Sequence, residues 1–309
     1  MIVLKVQSIK EINNLISYNP EKFILDSEAQ YRSELKAAAE KILEKSDNHS
    51  LVLVSGPSGS GKTTSALRVE GFLREMGCKA STLSMDNYFL PDDMIDDVPL
   101  NEDGEIDLES PYRLDIPLLN KHMEMLNNCE PIECPVFDFR TNSRMGVIPI
   151  KREPGEVIII EGIHALNPAV TGNSRDYATC IYVSVRTRLE NSEEDRLHPR
   201  LIRLMRRLSR DKLFRGRVLT DTFKMFKSVS RGEEKHIMPY KHLADFDIDT
   251  FIPFETSVYR SVIYDSLLEI REKMHGNFDY DMITQFLSEL TPLDKELLAE
   301  HSLIREFVG

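Results

Sequence analysis

A glycine-rich loop between an apolar segment and a helical segment constrains the fold of this chain more than any other feature. Residues 51–55 read LVLVS, and residues 56–63 read GPSGSGKT. This loop fits the pattern G-x-x-x-x-G-K-T, in which glycines let successive backbone N–H groups point at phosphate oxygens. The N-terminus of the helix that follows adds the positive end of its dipole. The sequence therefore predicts a strand, a phosphate-binding loop and a helix in that order.

Different residues of this loop are expected to bind different parts of a nucleotide and its metal ion. Lys62 can reach the β- and γ-phosphates, and the Thr63 hydroxyl can bind Mg²⁺. We therefore expect Mg²⁺ and a nucleoside triphosphate, with Lys62 among the catalytic residues. The predicted nucleotide-binding residues in this segment are Gly56, Pro57, Ser58, Gly59, Ser60, Gly61, Lys62, Thr63 and Thr64.

Five short apolar segments predict the strands of one parallel sheet. They lie at residues 51–54, 80–84, 157–160, 181–185 and 246–252, and helical patterns lie between them. The last segment alternates like an edge strand. Strands that alternate with helices favour an α/β fold, with a parallel five-stranded sheet flanked by helices.

The chain offers no linker that would divide it into two ordinary domains. Residues 1–48 are predicted to form a helical leader, because residues 27–45 are rich in Ala, Glu, Lys and Leu. Residues 49–309 are expected to form one nucleotide-binding unit with C-terminal helices at 256–309. Helices that pack on the core, or on a second subunit in a homo-oligomer, both fit the two terminal segments.

Charge and cysteine content exclude several classes of protein. The chain has 39 basic and 51 acidic residues, a net charge of −12, which argues against a general nucleic-acid binder. The four cysteines form no C-x-x-C pair, so a zinc site is not expected. No secretory signal is visible and no apolar run approaches the length of a membrane span, so we expect reduced thiols and a cytoplasmic location.

Two acidic residues follow predicted strands, at the edge of the sheet where ligands bind. Asp86 could take the proton from an attacking hydroxyl, hold Mg²⁺ through water, or simply cap a turn. Glu161 ends the strand at 157–160, where a carboxylate suits Mg²⁺ and an ion pair with a lysine would also fit. His164, beside Glu161, is expected to be a packed or hydrogen-bonded histidine.

A dense basic segment stands out in this acidic protein. From residue 196 to 217 there are nine basic residues and one acid, Asp211. Arginine makes bidentate contacts with phosphate, so the favoured interpretation is an arginine-rich helical lid, near residues 196–240, that closes over the glycine loop. A solvated basic face and an RNA-binding helix are the alternatives. The arginines that share one broad helical face are Arg203, Arg206, Arg207 and Arg210.

Taken together, these motifs resemble the uridine kinase and phosphoribulokinase family of P-loop kinases. The resemblance covers roughly residues 49–255 and implies a P-loop NTPase fold of the nucleoside-kinase type, with ATP as phosphoryl donor. Besides the loop, the matching segments are SMDNYF (84–89), LESP (108–111), PVFDFRTNSR (135–144), VIIIEGI (157–163), RRLSRD (206–211) and RGR (215–217).

A closer resemblance is to the bacterial uridine kinase-like proteins, which share VSRGEEK (229–235) and LIREFVG (303–309). Those proteins usually carry a long N-terminal region related to part of threonyl-tRNA synthetases. Only about 48 residues precede the first strand of the sheet here, so no regulatory role of that region is carried over.

The resemblance also implies roles for single residues. Asp86 would be the general base on a nucleoside 5′-hydroxyl and a further metal ligand beside Thr63 and Glu161. Glu109 would bind ribose hydroxyls. Arg207 and Arg210 would be catalytic arginines. The phosphates would be held by Arg207, Arg210 and Arg215, with Arg217 nearer the nucleoside, and the base would meet Phe137, Phe139 and Asn142.

Two positions depart from the family pattern. Phe137 stands where the family has tyrosine, and Asn142 stands where it has histidine. Phenylalanine can stack but cannot donate a hydrogen bond. A nucleoside of the uridine or cytidine type remains the favoured acceptor. The alternatives are a kinase of a sugar phosphate or another small alcohol, and a non-catalytic nucleotide-binding regulator. Because Asp86, Glu161 and the lid are all present, catalysis is favoured over a regulator; RNA binding is disfavoured because no aromatic residues interleave the arginines.

Overall fold

The computed structural model describes residues 5–309. The strands in this range are β1 (Val6–Ser8), β2 (Leu51–Ser55), β3 (Ala80–Ser84), β4 (Ile132–Asp138), β5 (Ser143–Ile150), β6 (Val157–Glu161), β7 (Ala178–Ser184), β8 (Arg188–Glu190), β9 (Arg196–Leu197) and β10 (Phe246–Asp249). The α-helices are α1 (Ile9–Tyr18), α2 (Pro20–Lys45), α3 (Lys62–Glu75), α4 (Ile116–Asn127), α5 (Pro168–Thr171), α6 (Pro199–Phe214), α7 (Leu219–His236), α8 (Glu255–Glu269), α9 (Phe278–Glu289) and α10 (Arg305–Val308).

A parallel sheet in the order β10-β7-β2-β6-β3 forms the centre of the molecule. From β2 the chain crosses to the outer strand β3, returns to β6 beside β2, and then continues on the other side through β7 to β10. The connections therefore diverge at β2, and a crevice opens there beyond the carboxyl ends of the strands. The predicted α/β fold with a five-stranded parallel sheet is confirmed.

The central strands are apolar on both faces because helices cover both sides of the sheet. Val52 and Val54 of β2 face one apolar cluster, and Leu51 and Leu53 face the other, as the alternation of side chains along a strand requires. The first cluster also holds residues of α1, α2, α8 and α9, so the N-terminal and C-terminal helices pack on the core of their own chain.

The N-terminal part of the chain contains more helix than the sequence predicted. The helix expected at 27–45 begins at Pro20, because the Asn19 side chain accepts a hydrogen bond from the Lys22 backbone N–H at 2.9 Å and caps the first turn. The preceding helix, α1, lies inside the segment 1–48 predicted as a helical leader, although its bounds were not predicted. The boundary between a leader and a kinase unit stays a prediction.

Two small sheets lie beside the central one. Strands β4 and β5 form an antiparallel hairpin, whose ladder is irregular between Val136 and Phe137. Strand β1 pairs with β8, which pairs with β9. In the described range of the chain, no helix is both long enough and apolar enough to cross a membrane. The expected cytoplasmic location stays a prediction.

Candidate active site

The glycine loop runs from the end of β2 to the start of α3 and passes very close to β7. A Cβ atom on Gly56 would lie 1.9 Å from the Val183 carbonyl oxygen, so no larger residue fits there. Gly59 and Gly61 have φ values of +72° and +82°, which side chains with a Cβ rarely adopt. Thr63 lies exposed in the first turn of α3. The predicted strand, loop and helix are therefore present in that order.

Side chains from elements that are distant in sequence donate hydrogen bonds to the carbonyl groups of this loop. Arg203 donates to the Ser58 carbonyl oxygen at 2.9 Å, and Arg206 donates to that of Gly59 at 3.1 Å. The Thr250 hydroxyl donates to the Ser60 carbonyl oxygen at 2.7 Å. In a trans peptide the following N–H group points the opposite way. The N–H groups of Gly59 and Gly61 therefore point away from these partners. The Ser60 N–H group donates to the Pro57 carbonyl oxygen at 3.2 Å, and the Ser58 N–H group donates to Glu233 Oε1 at 3.0 Å.

The first two arginines of the predicted lid face are part of the interior. Arg206 is fully buried and makes a bidentate ion pair with Glu255, at 2.8 and 2.9 Å. Arg203 makes a bidentate pair with Glu233, with both distances 2.7 Å. The prediction of one arginine face over the loop is therefore wrong for these two residues. Both arginines extend from α6 to the loop, and their acidic partners in α7 and α8 hold them in place. They therefore stabilise the loop from within the protein.

The remaining arginines gather around one fully buried carboxylate, Asp211. Its oxygens lie 3.0 Å from Arg215 Nη1, 3.2 Å from Arg217 Nη1 and 3.8 Å from Arg207 Nε. Burial lowers the pKa of Arg207 and of Arg210, and the Nε atoms of both have no hydrogen-bond partner. We name this group, Arg207, Arg210, Arg215 and Arg217, the arginine cluster. Its four positive charges exceed those of the neighbouring carboxylates of Asp211 and Glu306, so the cluster could attract an anion.

Two carboxyl groups lie at the carboxyl ends of β3 and β6. Glu161 is buried and accepts a hydrogen bond from the Ser84 hydroxyl at 2.7 Å, instead of pairing with a lysine of the described chain. Ser84, not Asp86, caps the turn at Met85–Tyr88, by accepting from the Asp86 backbone N–H. The turn-capping alternative for Asp86 is therefore wrong.

The Asp86 carboxyl group keeps an exposed side, although protein atoms crowd around it. Desolvation in the cleft and the nearby Glu161 carboxylate raise its pKa to about 6, while Lys62 opposes the shift. These three charged groups therefore act on one another across the mouth of the cleft.

Glu109 is buried and, like Asp86, lies close enough to Lys62 to feel its charge. Desolvation, the largest effect, and the Glu233 carboxylate raise its pKa to about 8, while Lys62 and Arg207 lower it. Its Oε2 atom has no hydrogen-bond partner. The structure thus brings Lys62, Asp86, Glu109, Glu161 and Arg207 to one cleft.

Three phenylalanine rings pack together where the hairpin meets the turn that carries Asp86; Phe89 and Phe137 are buried and Phe139 is exposed. Phe137 lies 5.0 Å from Phe139 and 5.9 Å from Phe89, and the Phe89–Phe139 distance is 5.2 Å between ring centroids. Strand β4 packs on the turn that carries Asp86. Asn142 lies in the hairpin turn with φ +50°. Sequence reasoning missed Phe89, although it closes the SMDNYF segment.

The C-terminal segment also reaches the glycine loop, which the sequence did not predict. The Thr64 hydroxyl donates to Glu306 Oε2 at 2.6 Å, and Arg210 Nη1 lies 3.8 Å from Glu306 Oε1. A Cβ atom on Gly61 would lie 2.9 Å from the Leu303 side chain. Two predicted nucleotide-binding residues, Thr64 and Arg210, therefore share one internal carboxylate.

Comparison with known proteins agrees with the sheet and the loop. The family model described as the phosphoribulokinase / uridine kinase family matches residues 51–257. The chain belongs to this family. This membership confirms the resemblance drawn from the motifs and makes the chain a kinase, a phosphotransferase with a P-loop fold.

The similar proteins differ in their sequence identity to this chain and in the share of each chain that the match covers. A uridine kinase of Lactobacillus helveticus is 30% identical over 220 residues, which cover 69% of this chain and 95% of that protein. The inorganic pyrophosphatase TTM2 of Arabidopsis thaliana is 35% identical over 130 residues, 42% of this chain but only 17% of that protein. A solved structure described as a possible uridine kinase from Bacillus stearothermophilus is 18% identical, with a TM-score of 0.48, and covers 71% of this chain and 100% of that one.

Proposed function

We propose that this kinase transfers the γ-phosphoryl group of ATP to the 5′-hydroxyl of a nucleoside of the uridine or cytidine type. One observation carries the proposal: Lys62 is the electrostatic neighbour of both Asp86 and Glu109. A lysine that can reach the transferred phosphoryl group thus has a proton acceptor on one side. It also has a second carboxyl group nearby, that of Glu109, which could bind further hydroxyls.

The donor atoms around the loop fit ATP and Mg²⁺. Glu161 and the exposed Thr63 hydroxyl offer the hard oxygen ligands that Mg²⁺ prefers, with Asp86 beside them. The buried Ser60 hydroxyl has no partner of its own. Bound Mg²⁺ would neutralise charge on the phosphate oxygens. The loop residues 56–64 would hold the phosphates, with backbone N–H groups as donors at every position except Pro57, which has none.

The protein's own groups would then position the attacking hydroxyl and neutralise the charge of the transferred phosphoryl group. Asp86, with a pKa of about 6, is ionised at neutral pH and can accept the proton of the attacking hydroxyl. Lys62 and the arginine cluster would balance the charge of the transferred group, with Arg217 nearer the nucleoside. Phosphoryl transfer needs little more from a protein than this positioning and charge compensation.

The acceptor side supports a nucleoside over a sugar phosphate. The exposed ring of Phe139 would offer a face on which a planar base can stack, and the buried rings of Phe137 and Phe89 pack beside it. A sugar phosphate has no planar base that could stack on an aromatic ring. Glu109 would bind the ribose hydroxyls, and Asn142 would reach the base edge from the hairpin turn.

A phosphoryl-transfer screen tests this function. The full chain, Mg²⁺ and γ-labelled ATP are incubated with uridine, cytidine, adenosine or guanosine, with ribulose 5-phosphate, or with no acceptor. We expect a labelled 5′-monophosphate from a pyrimidine nucleoside, and none from Asp86→Asn. Asp96→Asn, which changes an exposed acid of the neighbouring loop, serves as the matched control. Labelling of ribulose 5-phosphate alone, or hydrolysis of ATP without any acceptor product, would refute the nucleoside assignment.

A further inference from the structure

Two buried side chains hold Ser58 of the glycine loop by both of its backbone groups. The Ser58 N–H group donates to Glu233 Oε1 at 3.0 Å, and the Ser58 carbonyl oxygen accepts from Arg203 Nη1 at 2.9 Å. The same nitrogen of Arg203 donates to Glu233 Oε1 at 2.7 Å, so these contacts close a ring. We name Arg203 and Glu233, acting on Ser58, the Ser58 clamp.

The Ser58 clamp fixes a turn that the loop sequence leaves free. Because the peptide unit is planar and trans, holding the Ser58 carbonyl oxygen also sets the direction of the Gly59 N–H group. Gly59 has a φ of +72°, but glycine adopts positive and negative φ values about equally readily. Side chains from outside the loop must therefore select this conformation.

Helix α7, which carries Glu233, also contacts the segment that carries Glu109. A Cβ atom on Gly232 would lie 2.6 Å from the Glu109 Cβ atom, so the helix and this segment approach closely. One turn later, His236 Nε2 lies 3.0 Å from Asp107 Oδ2. His236 also packs on the buried His164, 6.5 Å away between ring centroids, so the expectation of a packed histidine is confirmed.

A further contact one turn earlier fastens α7 to the same segment. The Asn101 side chain donates to the Ser228 hydroxyl at 3.1 Å. Residues 228, 232 and 236 recur every four positions, so they lie on one face of the helix. Helix α7 therefore holds residues 101–109 over two turns and reaches the glycine loop through Glu233.

We propose that Glu233 is a positioning residue for phosphoryl transfer, which keeps the glycine loop aligned with the segment that carries Glu109. In-line transfer needs the donor phosphate and the acceptor hydroxyl in register, and a misplacement of about 1 Å costs roughly 10²-fold in rate. This inference rests on the proposed function only in taking the side of Glu109 as the acceptor side.

A double variant separates this positioning from simple charge pairing. Glu233→Met alone leaves the Arg203 guanidinium group buried without its partner, which should lower the urea midpoint strongly. Arg203→Met/Glu233→Met removes both charges, so its urea midpoint should recover most of that loss, whereas Ser58 remains unheld. The matched control is Arg200→Met/Asp279→Met, which removes another bidentate pair of α6, with distances of 2.7 and 2.8 Å.

Hydrogen–deuterium exchange of the full chain tests the Ser58 clamp without any substrate. In Arg203→Met/Glu233→Met we expect the amides of residues 56–61 to exchange faster by about tenfold or more, with α6 and α7 as protected as in the wild type. The control should keep the wild-type exchange of the loop. Unchanged exchange of the loop, or an equal loss of protection in α6 and α7, would show an ordinary packing role and overturn the proposal.

Steady-state kinetics tests the alignment itself. In Arg203→Met/Glu233→Met we expect kcat to fall by about tenfold or more, with the KM for the acceptor unchanged because Glu109 is still present. The control should keep the wild-type kcat. A double variant that recovers wild-type kcat together with its stability contradicts the proposal.

The acceptor used in these rate measurements separates this inference from the proposed function. They use whichever acceptor the phosphoryl-transfer screen labels. Labelling of ribulose 5-phosphate alone refutes the nucleoside assignment, and the kcat ratio with that acceptor then decides the role of Glu233. If no acceptor is labelled, the proposed function fails, and the exchange experiment alone decides whether Glu233 holds the loop.

Discussion

Asp86 and Glu109 show how their surroundings give two carboxyl groups opposite protonation states. With pKa values of about 6 and about 8, Asp86 is ionised at pH 7 while Glu109 is protonated. Burial is the largest cause in both, and the deeper site has the higher pKa. One group can therefore accept a proton while the other donates a hydrogen bond, although Lys62 lies near both.

Replacing Asp86 by Asn tests the proton acceptor. We expect kcat to fall by roughly 10²–10⁴-fold or more, the range of general-base catalysis, with ATP affinity nearly unchanged. For the wild type, kcat/KM should fall as pH drops below about 6, because the protonated carboxyl group cannot accept a proton. Initial rates from pH 5 to 8 and calorimetric ATP titrations check both points. A variant with wild-type turnover and pH profile would place the base elsewhere.

Replacing Glu109 by Gln tests the buried carboxyl group through stability. Its pKa rises from 4.5 to about 8 on folding, so the folded protein binds the proton more tightly and the wild type loses stability as pH rises between these values. The Gln side chain of the variant does not titrate, so the variant does not lose stability in this pH range for this reason. We expect its urea midpoint to exceed that of the wild type at pH 8, and the difference to shrink toward pH 5. A difference that does not change with pH would contradict this account.

Helix α6 divides its arginines between two tasks. Arg203 and Arg206 face inward, pair with Glu233 and Glu255, and hold carbonyl groups of the glycine loop. Arg207 and Arg210 belong to the arginine cluster at the cleft. The same helix thus supports the loop from within the protein and supplies positive charge beside it.

Breaking the Arg206–Glu255 pair tests the structural role of the buried arginines of α6. Arg206→Met should lower the free energy of unfolding by about 3–5 kcal/mol, because it leaves the Glu255 carboxylate buried and unpaired. The double variant Arg206→Met/Glu255→Leu should recover much of this loss. Urea denaturation measures both, and Arg210→Met is the control on the same helix, expected to change ATP binding more than stability. A loss below about 1 kcal/mol in Arg206→Met would contradict the structural role.

At the scale of the whole molecule, both ends of the chain support the nucleotide site. Helix α2 packs on α3, and the Tyr31 hydroxyl lies 2.8 Å from the Ser65 hydroxyl in the buried interface. The C-terminal segment contacts α2 through Ser302 and Glu28, and it reaches the glycine loop and the start of α3 through Leu303 and Glu306. The site therefore depends on helices that are remote from it in sequence.

Leu35→Ala tests whether the N-terminal helices unfold with the rest. Leu35 is fully buried in α2, so the cavity should cost about 2–5 kcal/mol. Because its cluster is shared with β2, we expect a single transition, with loss of helix and loss of ATP binding at the same urea concentration. Circular dichroism and a fluorescent ATP analogue follow the two events. An earlier, separate melting of helix with ATP binding intact would show an independent leader.

Glu306→Gln tests the contact between the C-terminal segment and the loop. The Glu306 carboxylate engages Thr64 and lies near Arg210, so it places negative charge beside the proposed phosphate site. Removing this charge should tighten ATP binding severalfold and leave the affinity for a neutral nucleoside unchanged. Glu300→Gln, an exposed acid nearby in sequence, is the control. Weaker ATP binding in Glu306→Gln would instead show that Glu306 orients Arg210.

The sequence by itself determined the phosphate loop, the strands around it and the family. These features depend on local requirements: glycines where φ is positive, apolar runs where a strand is covered on both faces, and acids directly after such strands. For the same reason the sequence identified Asp86 and Glu161, whose positions follow from the ends of β3 and β6.

Only the tertiary structure decided which polar side chains are free to bind. Arg203, Arg206, Arg207 and Arg210 share one helix and one sequence pattern, yet the first two are neutralised by acids from α7 and α8. Hydrogen bonding and ion pairing join residues that are far apart in the chain, so no local pattern predicts them.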